Sequence, residues 1–176
     1  MNKAVFLDRD GTINKEVDYL SRIEEFEFLP SAVKALVKLS KSSYKIIVIT
    51  NQSGVARGYF TEVALGKIHG HMVEELKANG ARVDGIYVCP HHPDENCDCR
   101  KPKTGLIRKA EKDFNLDVKN SYIVGDSTKD VQTGINAGCK TILVKTGYGG
   151  KDKLYDVKPD YVVKDLLFAV ENVILK

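Results

Sequence analysis

Lys45-Ile-Ile-Val-Ile-Thr50 sets four branched apolar residues in a row between a lysine and a threonine. A strand with one wet face alternates apolar and polar residues, so an unbroken run demands burial on both faces, as inside a parallel sheet. Shorter runs recur at Ala4 to Leu7, Gly85 to Cys89, Ser121 to Val124 and Thr141 to Val144, with Tyr161 to Val163 as a short edge strand. Between them the apolar residues fall at helical spacing: Ala32, Leu36, Val37 and Leu39; a segment from Thr61-Glu62 to Asn79-Gly80; Leu106, Ile107, Ala110 and Phe114; Val131 to Ala137; and Leu166 to Leu175. Strands alternating with helices predict an α/β fold, a Rossmann-like three-layer domain with a mainly parallel sheet. At 176 residues the chain fits one domain, 1–176.

The strand ends carry the chemistry, as expected where ligands bind beyond the carboxyl ends of an open sheet. The first run stops at Asp8-Arg9-Asp10-Gly11-Thr12. If the extended geometry persists, Asp8 and Asp10 share one side and Arg9 points away, while Gly11 permits a sharp turn. Capping of a loop is the plainer role for the two aspartates. Residues 13–29 lack clean periodicity and read as a flap, in which Glu16-Val17-Asp18-Tyr19 either faces a substrate or is ordinary loop polarity. The second run ends in Thr50-Asn51-Gln52-Ser53-Gly54, where hydroxyl, amide and backbone donors gather, suited to a phosphate or simply to a turn. Arg57 adds a charge suited to bidentate phosphate binding. The fourth run breaks at Gly125-Asp126, with Asp130 nearby, and either aspartate also suits a helix N-cap. His69 and His71, two apart on one helix, read as surface residues.

Cys89, His91, Cys97 and Cys99 supply three thiolates and an imidazole within eleven residues, the ligand set of a closed structural zinc site, with His92 as a substitute for His91. The site would pin the loop 89–103 and fix Arg100 and Lys101, whose adjacent charges read as a phosphate clamp or as solvated basic surface. Cys139 stands apart as a packing residue. Clustered cysteines suit a reducing compartment better than a disulfide framework, so a cytoplasmic protein is expected. A net charge of +3 with mixed signs gives little support for nucleic-acid binding, and no stretch approaches a membrane span.

Asp-Arg-Asp-Gly-Thr, Thr-Asn-Gln-Ser-Gly-Val-Ala-Arg-Gly, Cys-Pro-His-His-Pro, Cys-Asp-Cys-Arg-Lys-Pro and Gly-Asp-x-x-x-Asp together resemble the haloacid dehalogenase superfamily of phosphatases. More narrowly, they are similar to the branch of heptose bisphosphate and histidinol-phosphate phosphatases, over residues 4 to about 148. The resemblance implies Asp8 as nucleophile, Asp10 as general acid and base, Thr50 and Lys101 on the transferring phosphoryl group, and Mg²⁺ held by Asp8, Asp126 and the backbone carbonyl of Asp10. It further implies Asp18, Tyr19, Asn51, Gln52, Ser53, Arg57 and Arg100 as substrate contacts, Asp130 as support for the metal site, and Lys103 as a weaker claimant to the lysine role. A small phosphorylated sugar, first a heptose bisphosphate, is the implied substrate, and a monomer is expected. Histidinol phosphate, a nucleic-acid 3′-phosphate and a non-catalytic zinc-stabilised scaffold are the competing readings. Ser127 stands where that branch commonly carries lysine. No insertion between Gly11 and Leu29, or between Ala56 and Cys89, is large enough for a separate cap domain.

Overall fold

The computed structural model describes residues 1–176. Six strands, β1 (Ala4–Leu7), β2 (Lys45–Asn51), β3 (Gly85–Cys89), β4 (Tyr122–Gly125), β5 (Lys140–Val144) and β6 (Tyr161–Val163), form one parallel sheet in the order β3-β2-β1-β4-β5-β6. The helices are α1 (Ala32–Ser40), α2 (Glu62–Ala78), α3 (Gly105–Phe114), α4 (Thr128–Ala137) and α5 (Leu166–Ala169). This is a single α/β domain of the expected Rossmann-like kind.

Alternation along β1 separates two cores. Val5 and Leu7 pack with Ile46, Val48 and the apolar sides of α1, α2 and α5, whereas Ala4 and Phe6 pack with Ile47, Ile49 and the Leu106-Ile107-Ala110 side of α3. Burying a side chain such as Phe6 or Leu7 contributes roughly 1.5–3 kcal/mol. Such burial on both sides is the physical reason the strand runs lack polar interruption. Strand order reverses at β1, with β2 on one side and β4 on the other. The crevice beyond their carboxyl ends is therefore where a ligand belongs.

Two helices differ from the sequence expectation. α4 starts at Thr128 rather than Val131, because Ser127 caps it: its hydroxyl accepts from the Asp130 N–H, and the Asp130 carboxylate accepts from the Ser127 N–H at 3.1 Å. The last segment is α-helical only over Leu166–Ala169 and continues as a π-helix over Val170–Ile174. His69 is also a correction: it is buried, not on the surface. The flap is pinned at its base, where the Leu29 N–H donates to the Ile13 carbonyl at 3.0 Å and Asn14 bridges to Phe28. No second domain covers the sheet, and no helix is long and apolar enough to cross a membrane.

Candidate active site

β1 ends at Leu7 and the chain turns at once, so the expected alternation does not carry through to Asp10. Asp8 and Asp10 nevertheless both face a cavity of about 480 Å³, within the ~300–1,000 Å³ range of small-molecule sites. Arg9 does not point away from the aspartates. It is fully buried and folds back onto Asp10.

Lys101 is the pivot of the site. Its Nζ lies 2.8 Å from Asp8 Oδ1 and 2.6 Å from Asp130 Oδ1, with the lysine side chain 3% exposed. The Asn51 side chain fixes it there, accepting from the Lys101 N–H at 3.0 Å and donating to the Lys101 carbonyl at 3.2 Å. Gln52 is likewise engaged, its Nε2 donating to Asp10 Oδ2 at 2.9 Å and to Thr50 Oγ1 at 2.8 Å. The amides of Asn51 and Gln52 thus orient neighbouring charged groups. Lys103 turns away to Asn96, at 2.7 Å from its Oδ1.

Asp126 closes the third side. Ligand oxygens of Asp8, Asp126 and Asp130 all lie within 4.8 Å of one another. Two glycines make room for the Asp126 carboxylate: a Cβ on Gly11 would fall 2.2 Å from its Oδ2, and one on Gly147 would fall 2.0 Å from it. Their φ angles of +79° and +53° are in the region that favours glycine. The Tyr148 N–H then donates to Asp126 Oδ2 at 2.7 Å.

Asp8, Asp10, Glu16, Asp18, Asp126, Asp130 and Asp152 line the cavity against Arg100, Lys101 and Lys129. Burial, reinforced by Asp8 and Asp130, pushes Asp126 up to about 8. Burial and Asp130 push Asp8 up to about 6, against the pull of Lys101. Burial, Asp10 and Asp8 push Glu16 up to about 7. Burial alone would lower the Lys101 ammonium, but Asp130 and Asp8 outweigh it and hold it above the usual lysine range. Burial would raise Asp130, yet Lys101 and Ser127 keep it below the usual carboxylate range. So dense a set of carboxylates fits a divalent cation, since hard oxygen donors select such ions. A phosphate would otherwise meet net repulsion. Arg100 Nη1 is buried without a partner beside the same cavity, a donor left for an anion.

These shifts give a pH prediction. The folded state holds the Asp8 and Asp126 protons more tightly than the unfolded chain, so ionising them costs stability. The Mg²⁺-free protein is expected to lose stability as pH rises from the ordinary aspartate range, about 4, to about 8. Asp130 works the other way only below that range, as its lowered value is protonated. Chemical denaturation at successive pH values measures the fall, and added Mg²⁺ should cancel most of it near the upper end. Stability rising across that range would contradict the picture.

The remaining expected contacts are placed unevenly. Thr50, Ser53, Asp18, Tyr19 and Arg100 line the cavity, but Arg57 does not. Arg57 is exposed and lies over the Tyr19 ring at 5.9 Å, while Tyr19 meets Tyr59 edge-on at 4.7 Å. Sequence reasoning passed over Lys129, Tyr148, Asp152 and Leu154, which reach the cavity from α4 and the loop after β5. Ser127 is spent on its cap, and Lys129, two residues on, is the nearest cation along the chain.

A second cluster lies in the loop after β3. Cys89 Sγ is 3.5 Å from Cys97 Sγ, which is 3.5 Å from Cys99 Sγ, and His91 Nδ1 is 3.2 Å from Cys99 Sγ and 3.6 Å from Cys89 Sγ. These spacings are far too long for a disulfide of about 2.05 Å. They approach the ~3.8 Å edge of a tetrahedron built on Zn–S bonds of about 2.3 Å. His91, not His92, joins the three cysteines, while His92 Nδ1 accepts from the Asp94 N–H at 3.2 Å. Cys139 packs in the core.

Comparison with known proteins agrees with this geometry. A family model described as HAD-hydrolase-like matches residues 98–169. The chain is 44% identical over 143 residues to the D-glycero-beta-D-manno-heptose-1,7-bisphosphate 7-phosphatase of Haemophilus influenzae, covering 78% of each chain. It is 44% identical over 135 residues to the D-glycero-alpha-D-manno-heptose-1,7-bisphosphate 7-phosphatase of Campylobacter jejuni, covering 77% of each. The D,D-heptose 1,7-bisphosphate phosphatase from B. bronchiseptica, complexed with magnesium and phosphate, superposes with a TM-score of 0.91 at 36% identity over 98% of both chains.

Proposed function

The chain belongs to the family of D-glycero-D-manno-heptose-1,7-bisphosphate 7-phosphatases, within the haloacid dehalogenase-like hydrolases, and from that premise we propose that its cavity removes the 7-phosphate from a heptose bisphosphate. The observation that carries the reading is the carboxylate trio Asp8, Asp126 and Asp130 with Lys101 set between two of its members. Phosphoryl transfer asks chiefly for positioning and charge stabilisation, and this arrangement supplies both.

In the proposed reaction an Asp8 carboxylate oxygen attacks phosphorus in line, and the bond to the sugar oxygen breaks as Asp10 gives that oxygen a proton. Asp10 then takes a proton from the water that hydrolyses the aspartyl-phosphate. Lys101 and the Thr50 hydroxyl stabilise the phosphoryl oxygens. Asp8, Asp126 and the Asp10 carbonyl would hold Mg²⁺, which neutralises phosphate charge and keeps Asp8 ionised. Asn51 and Gln52 act by orienting Lys101 and Asp10. Arg100 takes the second phosphate, with Ser53, Asp18 and Tyr19 around the sugar.

Cys89, His91, Cys97 and Cys99 would hold zinc, which closes the loop 89–103 and so sets Arg100 and Lys101. Elemental analysis should find about one zinc per chain. Cys99→Ser should lower both zinc content and melting temperature. Zinc-free protein of full stability and activity would contradict the assignment. A working monomer and a reducing, cytoplasmic setting belong to the same proposal, the latter supported by a cysteine cluster spaced for a metal and not for disulfides.

A phosphate-release screen tests the substrate. Heptose 1,7-bisphosphates of both anomers, histidinol phosphate and a 3′-phosphorylated oligonucleotide should give kcat/KM values led by a heptose bisphosphate. A lead for histidinol phosphate or the oligonucleotide would overturn the reading. Because relatives of either anomeric name share the same identity with this chain, the screen also decides the anomer.

A further inference from the structure

Arg9 is wholly buried, in a protein where an unpaired buried guanidinium would be prohibitively costly. Its Nε donates to Asp10 Oδ1 at 3.1 Å, and its Nη2 donates to both Asp10 oxygens at 2.9 and 2.8 Å. The fork leaves Nη1 for α2, whose buried residues are Leu65, Ile68, His69, Met72 and Leu76. There it meets His69 Nε2 at 3.0 Å. Arginine cannot accept a hydrogen bond, so the imidazole must accept at Nε2 and carry its proton on Nδ1. Burial and the neighbouring Arg9 charge push His69 down to about 4, which keeps the ring neutral and able to accept.

We propose that His69 and Arg9 are positioning residues: His69 fixes the plane of the Arg9 fork, and the fork fixes the direction in which Asp10 presents its carboxyl group to the leaving oxygen. The inference rests on the acid and base role proposed above for Asp10. Asn14 and Gln52 hold the other edges of the same carboxylate, each at 2.9 Å. Without His69, Nη1 loses its one hydrogen-bond partner and the guanidinium is free to rotate toward another. That rotation breaks the fork, since two parallel N–H···O contacts require coplanarity. A proton donor displaced by a fraction of an ångström loses rate without losing substrate affinity.

Leaving groups distinguish positioning from mere stability. A sugar alkoxide needs the proton from Asp10 as it departs, whereas 4-nitrophenolate leaves without one. The value of kcat/KM reports only the steps through its departure. His69→Leu is expected to lower kcat/KM for a heptose 1,7-bisphosphate about 10–100-fold, while lowering that for 4-nitrophenyl phosphate no more than about threefold. His69→Gln, whose side-chain carbonyl can accept from Nη1, should recover most of the loss. Should His69→Leu not fold, Arg9→Lys, which keeps the charge but not the fork, should show the same split. Equal losses on both substrates, or no loss, would overturn the proposal. Asp10→Asn calibrates the series: a split there with none in His69→Leu or Arg9→Lys removes the positioning role alone. An equal loss on both substrates in Asp10→Asn removes the acid role and this inference with it.

Discussion

Replacing Asp8 by Asn is expected to lower kcat by at least about four orders of magnitude, or ~5.5 kcal/mol of barrier, while leaving the fold and its stability intact. The amide is nearly isosteric but cannot form the aspartyl-phosphate. Stability should hold or rise, because Asp8 is pushed up to about 6 by burial and Asp130, so its ionisation works against the folded state above the ordinary aspartate range. Removing the ionisable group removes that cost. Lys101 also lies 2.6 Å from Asp130, so the substitution does not leave its charge without a partner. Steady-state phosphate release and a thermal melt at pH 8 check the two halves. Retained turnover would refute the nucleophile, and a large fall in melting temperature would refute the electrostatic account of the site.

Lys101→Met should do the opposite to stability. Methionine has similar bulk but leaves Asp8 and Asp130 without their shared counter-charge, in a site where those side chains are 15% and 2% exposed. Breaking a buried pair by deleting one partner costs about 3–5 kcal/mol, which in a chain of this size is a melting-temperature drop on the order of 10 °C. Lys101 is held above the usual lysine range, so its contribution is fully present at neutral pH and its loss is felt there. In the variant the two carboxylates hold protons more tightly, so the deficit should deepen as pH rises from 5 to 8. Catalysis should fall as well, by about 10²–10³ in kcat, the usual effect of removing one donor to a developing charge. A Lys101→Met, Asp130→Asn double variant should recover part of the stability and none of the activity. Recovery of activity would place the catalytic cation elsewhere, with Lys129 as the first candidate.

Much of this was legible in the sequence because its signals are local. Unbroken apolar runs such as Ile46 to Ile49 mark buried parallel strands, and what stands just past a strand's end faces the crevice, so Asp8, Thr50 and Asp126 could be read directly. The cysteine cluster was legible for the same reason. What could not be read depends on partners distant in the chain. Asn51 pairs with the backbone of Lys101, fifty residues away, and Gln52 with Asp10, so residues that look like free phosphate donors are engaged. Arg9 and His69 bury each other from sixty residues apart, and helical spacing alone placed His69 at the surface. Lys129 and Asp152 join the cavity through α4 and the loop after β5, where no motif announces them. The early start of α4 was signalled by Ser127 three residues before Asp130, a capping pair that the apolar pattern from Val131 concealed.

The central claim is that phosphate leaves the sugar through a covalent intermediate on Asp8. Each in-line displacement at phosphorus inverts its configuration, so two in succession restore it. Hydrolysis of a substrate whose transferable phosphoryl group is made chiral with oxygen isotopes and sulfur, in isotopically labelled water, reads the outcome in the released thiophosphate. Retention is the expected result. Inversion would mean that water attacks phosphorus directly, and Asp8 would then be a metal ligand and not the nucleophile.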